Sequence, residues 1–224
     1  MIRLLLRVLL FTSVWLGGCA SVTELAGYPE TWPPVAPMST TEDCPNLAGS
    51  FENTPFATSA VESDRLTNSP THLTGLFAHM AKSVRVPRVR KAWQVPSEAR
   101  AITIEQSSTA LTIKFMDGPG LESRISFRRT QHPLFETTLD DVFVCDALNG
   151  IPRLRFMLEV DMVAGGAAFI GGGRSRKQLS LYRTTDASLV AEWNEQSAGL
   201  VVLVPYIRER SDWRLYHSSA TDKQ

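Results

Sequence analysis

From residue 101 onward, apolar and polar positions alternate along most of the chain. Ile102 and Ile104 alternate with Thr103 and Glu105, and Leu111, Ile113 and Phe115 alternate with Thr112 and Lys114. The pattern repeats at Ile125 and Phe127, Val142 and Val144, Leu154 to Val160, Leu179 and Leu181, Leu189 to Trp193, and Trp213 with Leu215. Successive side chains on a strand point to opposite faces, so each run predicts a strand with one buried face. Turn chemistry separates the runs at Asp117-Gly118-Pro119-Gly120, at Thr185-Asp186, and at a turn ending on Gly199. Leu200 to Val204 is continuously apolar, which predicts a central strand. About nine strands at roughly ten-residue spacing predict a mainly β fold, an antiparallel meander forming a barrel or a sandwich. No repeat of propeller or solenoid length is present.

One segment follows a different period. Ser69-Pro70 is suited to a helix N-cap and first turn, and Leu73, Leu76, Phe77 and Met80 follow at helical spacing. One amphipathic helix over 70–82 is predicted. His72 and His79 lie on it seven residues apart, not four as in a helical metal pair, and are expected to be partly exposed. Upstream, Leu47, Gly49 and Phe51 alternate as on a first strand, with a glycine where another backbone crosses closely. Residues 20–43 carry Pro29, Pro33, Pro34 and Pro37 without periodicity, which predicts a flexible tether. Gly165, Gly166 and Gly171 to Gly173 make 162–173 either a mobile apolar loop at a barrel mouth or at lipid, or a long hairpin connection. A phosphate loop does not fit, because Gly172 stands where lysine is needed and a strand follows.

The N-terminus changes the setting. Arg3 and Arg7 precede an apolar run, Val8 to Leu16, too short to span a bilayer comfortably. It ends in Leu16-Gly17-Gly18-Cys19, which resembles the lipobox of bacterial lipoproteins. An ordinary secretory signal is the alternative. The resemblance implies a signal peptide over 1–18, cleavage before Cys19, and diacylglyceryl and acyl chains on Cys19. Two or three chains hold a membrane stably where one does not. Ala20 in place of aspartate implies, within that family, the outer membrane of the cell envelope, facing the periplasm. The Gly-x-aromatic entry at Gly49-Ser50-Phe51 loosely resembles lipocalin-like barrels and the start of uncharacterised proteobacterial lipoproteins. The expected organisation is a signal peptide, an acylated N-terminus with tether over 19–43, one β domain over 44–217, and a disordered tail over 218–224.

In an oxidising envelope, Cys44 and Cys145 are the thiols left once Cys19 is acylated, and they are expected to pair. The alternative is two buried, inert thiols. Composition adds little, with 43% hydrophobic and 21% charged residues as in an average soluble domain. The 23 basic and 23 acidic residues balance, which with the envelope setting argues against nucleic acid as a partner. Their distribution is less even. Residues 19–64 hold seven acids and no base, so 65–224 carry 21 bases against 16 acids, a balance of +5.

Arg85, Arg88, Arg90 and Lys91, with Lys82, alternate with valines and a proline. The run fits either a charged edge that resists strand-to-strand aggregation or contact with anionic head groups, lipopolysaccharide phosphate or peptidoglycan carboxylates.

Nothing assembles a catalytic site. Ser175 lacks the second glycine of a nucleophile elbow, Asp140 and Asp141 point to opposite faces, and His132 and His217 have no partner at a telling spacing. The reading is therefore a non-catalytic structural or interaction module without metal or cofactor. It is anchored to membrane by its acyl chains and binds envelope proteins, lipid or peptidoglycan. The runner-up is a carrier holding a small apolar ligand in a barrel.

The basic run yields a direct test. Co-sedimentation of the deacylated protein with anionic vesicles or peptidoglycan should weaken steeply from low to physiological salt, because exposed charges are screened over about 10 Å at 0.1 M. Arg85, Arg88, Arg90 and Lys91→Ser should abolish it, and deleting the acidic arm should strengthen it. Equal sedimentation of all three proteins at every salt concentration would leave the run a solvated edge.

Overall fold

The computed structural model describes residues 25–37, 44–60, 71–80, 99–116, 122–131, 141–166, 169–201 and 204–219. Its strands are β1 (Gly49–Glu52), β2 (Ala57–Ala60), β3 (Ala101–Gln106), β4 (Ala110–Met116), β5 (Glu122–Arg129), β6 (Val142–Leu148), β7 (Ile151–Gly166), β8 (Phe169–Arg183), β9 (Leu189–Val201) and β10 (Val204–Tyr216). One helix, α1 (Leu73–Met80), is present among the described residues. The fold is mainly β, as the alternation predicts. The strands form one sheet in the order β1-β3-β4-β5-β6-β7-β8-β9-β10-β2. All neighbours run antiparallel except β5 and β6, which pair parallel over two positions, Arg128↔Val142 and Arg129↔Phe143.

The order is open, yet its ends meet. β2 pairs with β10 from Ala57↔Leu215 to Ala60↔Asp212. On its side away from β3, β1 meets the residues after β10 through the bridge Phe51↔Ser218. There Glu52 N–H donates to the His217 carbonyl at 3.0 Å, and Ser219 N–H donates to the Ser50 carbonyl at 2.8 Å. The segment 49–60 thus touches both ends of the sheet, an arrangement consistent with a lipocalin-like barrel or a sandwich. Ser218 and Ser219, expected in a disordered tail, belong to this contact because β1 offers them backbone partners.

The concave side of the sheet is filled by α1. Phe77 sits 6.1 Å from the Phe127 ring and 5.8 Å from Phe156, and those two rings are 4.6 Å apart. Leu73, Leu76 and Phe77 are fully buried with Ile104, Ile113, Leu154, Leu179 and Leu181. The helix begins at Leu73, and its cap comes from far away in sequence. The Asn53 carbonyl accepts from Leu73 N–H at 2.9 Å, and Asn53 Oδ1 accepts from Thr74 N–H and the Thr74 hydroxyl, each at 3.0 Å. Asn53 Nδ2 donates to the Ala99 carbonyl at 3.0 Å, and Asn53 N–H donates to the Arg100 carbonyl at 2.9 Å. One buried side chain joins β1, the helix start and the entry to β3. The expected Ser69 cap lies outside the described residues.

Two stretches differ from their sequence reading. Residues 162–166 and 169–173 are ladder, not loop, with pairs running from Met162↔Gly173 to Gly166↔Phe169. The turn expected at Gly199 is also strand, since Gly199 pairs with Gly173 on one side and Tyr206 on the other. Leu200 to Val204, read as a central strand, instead spans the end of β9 and the start of β10. The cause is common to both. β7 to β10 are 16, 15, 13 and 13 residues long, against 4 to 8 in the other strands. The backbone ladder runs on beyond the described buried apolar residues Leu158, Leu179, Trp193 and Trp213, and there the sequence loses its period of two. By contrast, Asn149-Gly150 joins β6 to β7 with φ of 52° and 79°, a two-residue turn that glycine serves at little steric cost.

Replacing Asn53 by alanine strands a buried N–H, a hydroxyl and a carbonyl. At about 1–3 kcal/mol for a buried polar group left unsatisfied, Asn53→Ala should lower unfolding free energy by roughly 3 kcal/mol, read from the denaturant midpoint. A loss below about 0.5 kcal/mol, within the range of an ordinary surface substitution, would show that the cap is dispensable.

Candidate functional site

The parallel junction of β5 and β6 opens a cleft. Past the bond from Thr130 N–H to the Phe143 carbonyl at 2.8 Å, the two strands separate and have no further ladder pairs. Between Arg129, Thr130 and Gln131 on one side and Val144 to Ala147 on the other lies a cavity of about 360 Å³. Cys145 on its wall is bonded to Cys44, with Cα atoms 5.0 Å apart, so the expected disulfide is present. Gln106 at the end of β3 holds the other side of that bond. Its Nε2 donates to the Pro45 carbonyl at 2.9 Å, and its Oε1 accepts from Leu47 N–H at 2.7 Å. The segment 44–47 therefore straps β3 to β6, and both cysteines pack against the core. Closing a loop of about 100 residues is worth roughly 4.7 kcal/mol in the chain-entropy model.

Asp146 lines the same cleft and carries two cations. Arg153 Nε approaches its Oδ1 at 2.7 Å, and Arg155 Nη2 pairs with its Oδ2. Burial weighs most against the Arg153 charge, but hydrogen bonding to Asp146 and the nearby Tyr182 outweigh it and raise its pKa. Tyr182 donates to Glu192 at 3.0 Å, and burial followed by the Glu192 charge pushes its phenol well above the ordinary value. This polar ladder is committed to itself. It positions the wall of the cleft and leaves Asp146 no role as an isolated base.

The convex face beyond it is covered by 25–37, where a flexible tether was expected. Thr185 N–H donates to the Pro34 carbonyl at 2.9 Å, Ala36 N–H donates to the Arg183 carbonyl at 2.8 Å, and Val35 bridges Thr184. Tyr28 meets Trp32 and Trp213 edge-on at 5.8 and 5.4 Å, and its hydroxyl donates to the Pro33 carbonyl. Leu25 joins Ile151, Tyr182, Val190, Trp213 and Leu215 in a second apolar cluster. The strap folds through two turns, Tyr28 N–H donating to the Leu25 carbonyl and Trp32 N–H to the Pro29 carbonyl, each at 3.0 Å, and Leu25, Tyr28, Trp32 and Val35 are its contacts.

The other sequence candidates do not converge. Cys19, Arg85, Arg88, Arg90, Lys91, His132 and Asp140 lie outside the described residues. Ser175 is buried, donates to Glu195 at 3.4 Å and accepts from Ser197 at 3.3 Å, partners that supply no imidazole base. His217 packs on Phe56 at 4.1 Å, and its Nδ1 lies 3.4 Å from the Ser188 hydroxyl. His79 faces Trp193 at 5.1 Å. No group of three metal-ligating side chains occurs among the described residues.

Sequence reasoning missed Asn53, Asp146 and the row Arg210, Asp212 and Arg214, in which Asp212 pairs with Arg210 at 3.1 Å and Arg214 at 3.8 Å. The alternate spacing of that last row placed all three on one face of a strand and was readable as such. No known family model matches the chain, and no curated protein matches it in sequence.

The strap gives a pH signature. Burial, then the charge of Asp186, raises the Tyr28 phenol to about 12, and burial lifts Tyr182 and Tyr216 further. A raised phenol favours the native state fully below the unfolded pKa near 10, and this stabilisation is lost as pH climbs through the folded values. Stability should therefore fall from about pH 10 upward, with phenolate absorbance appearing together with unfolding. Three of the four tyrosines titrating near pH 10 in the folded protein would contradict the packing.

Proposed function

We propose that this protein is a lipid-anchored lipoprotein of the bacterial outer membrane, attached through Cys19, and that it acts as a non-catalytic interaction module of the cell envelope. The observation that carries the choice between module and carrier is the filling of the concave side. Phe77, Leu76 and Leu73 of α1 occupy the space that a barrel carrier keeps for its ligand, packed against Phe127, Phe156 and Trp193. A small apolar ligand needs a preformed concave apolar site. The cleft between β5 and β6 is lined instead by polar as well as apolar residues, beside a strand edge without a ladder partner among the described residues. Such an edge suits main-chain pairing with an extended segment of a partner protein. The disulfide supports the envelope setting, since such bonds persist in oxidising compartments.

Native mass spectrometry of protein purified from membranes tests both parts. The expected species is a single chain beginning at Cys19 with acyl mass on that residue and no stoichiometric small molecule. A bound lipid beyond the N-terminal acyl groups would replace the module with the carrier. An unmodified mature terminus elsewhere would remove the anchor.

A further inference from the structure

The part of β7 to β10 that runs past the core has an unusual composition. No charged residue occurs between Asp161 and Arg174 or between Glu195 and Arg208. The ladder sets the boundary at nearly one level on β7, β8 and β10: Asp161 pairs with Arg174, and Arg174 aligns through Ala198 of β9 with Ile207, next to Arg208, while the last charge of β9, Glu195, comes three residues earlier. Beyond that line the β7–β8 hairpin continues through five paired rows, Met162↔Gly173 to Gly166↔Phe169, about 17 Å at 3.4 Å per residue. Two described side chains on the convex face of this tip are apolar and exposed, Leu200 at 47% and Ile207 at 87%. The two are diagonal neighbours across the β9–β10 ladder, Leu200 opposite Pro205 and Ile207 opposite Ala198, so they form one small apolar patch rather than scattered exposed residues.

We propose that this charge-free tip is a second, protein-borne membrane contact that seats in the interfacial zone of a phospholipid bilayer. Its depth is limited by its own edges. β6 pairs with β7 only at Ile151 to Arg155, and β2 pairs with β10 only at Asp212 to Leu215. Beyond these positions the outer edges of β7 and β10 have no ladder partner among the described residues. Open strand edges are not tolerated in hydrocarbon, whereas the head-group boundary, about 5–10 Å deep, supplies water and polar partners.

The length of the chain before the strap allows the bilayer at this end. The strap crosses the same convex face and contacts Trp213, six residues from Ile207 along β10, which is about 20 Å. The residues from Leu25 back to Cys19 reach at most about 20 Å when extended. An acylated Cys19 and the tip can therefore meet one membrane plane. This last point rests on the anchor proposed above, but the tip contact does not require acylation.

The test uses the mature chain from residue 19 with Cys19→Ser, which keeps every described residue, and phosphatidylcholine vesicles at physiological salt. Neutral lipid leaves the basic run at 85–91 without an anionic target. Leu200→Trp should shift its emission to the blue on adding vesicles, and Phe56→Trp, beside His217 at the opposite end, should not. Leu200→Asp with Ile207→Asp should reduce partitioning at least tenfold with an unchanged thermal midpoint, because both positions are exposed. Equal partitioning of parent and double variant, or no shift at Leu200→Trp, would overturn the proposal. So would a lipid-independent dimer that the double variant dissolves, because a second copy would then be what covers the tip. Loss of acylation on Cys19 in the native protein would remove the anchor and leave these outcomes untouched.

Discussion

The hydrogen bonding of Asn53 is the constraint on which the rest of the architecture leans. A helix of eight residues is far too short to hold its conformation alone, and its first N–H groups need acceptors. Asn53 supplies two of them from the corner after β1 and spends its amide on the backbone entering β3. With its start fixed there, α1 must lie under the sheet, and its apolar face becomes the core for β3 to β9. Tyr216 makes a second tie, its hydroxyl donating to the Thr71 carbonyl at 2.9 Å just ahead of the helix.

A short helix fills only part of a large sheet, and this divides the molecule. Where α1 lies, strands alternate strictly and bury Phe, Leu and Trp. Beyond it the backbone ladder of the four long strands continues, and the sequence changes to glycine-rich, uncharged stretches. At the other margin, β5 and β6 meet in parallel for two pairs and then part. The junction is short because β6 starts beside the last residues of β5, Val142 opposite Arg128, so the two strands overlap at two positions. The disulfide and Gln106 hold β3 and β6 together across this gap. Both features left open by the core, the cleft and the projecting tip, are the surfaces to which function is assigned.

The charged residues follow the same division. Asp146 is satisfied by Arg153 and Arg155, and Asp212 by Arg210 and Arg214, so these two carboxylates are neutralised in place. Pairs of this type specify geometry more than they add stability, since desolvation offsets much of their attraction. The carboxylates of Asp146 and Asp212 are thereby held in fixed arrangements suited to shaping surfaces.

The sequence by itself determined the secondary structure wherever one face was buried. Ile102 to Phe127 and Leu179 to Trp193 announced their strands because a half-buried strand must alternate, and Leu73 to Met80 announced the helix because a half-buried helix must repeat near every fourth residue. The disulfide was legible from cysteine number together with the envelope setting that the lipobox resemblance implies. Tertiary structure alone decided the remainder. The strap at 25–37 carries no periodicity because its contacts are made by scattered side chains on another element, and the ladder of 162–166 with 169–173 is set by backbone pairing that leaves no alternation in the sequence. Asn53 was invisible for the same reason, since a helix cap supplied from twenty residues upstream leaves no local pattern, only a place in space.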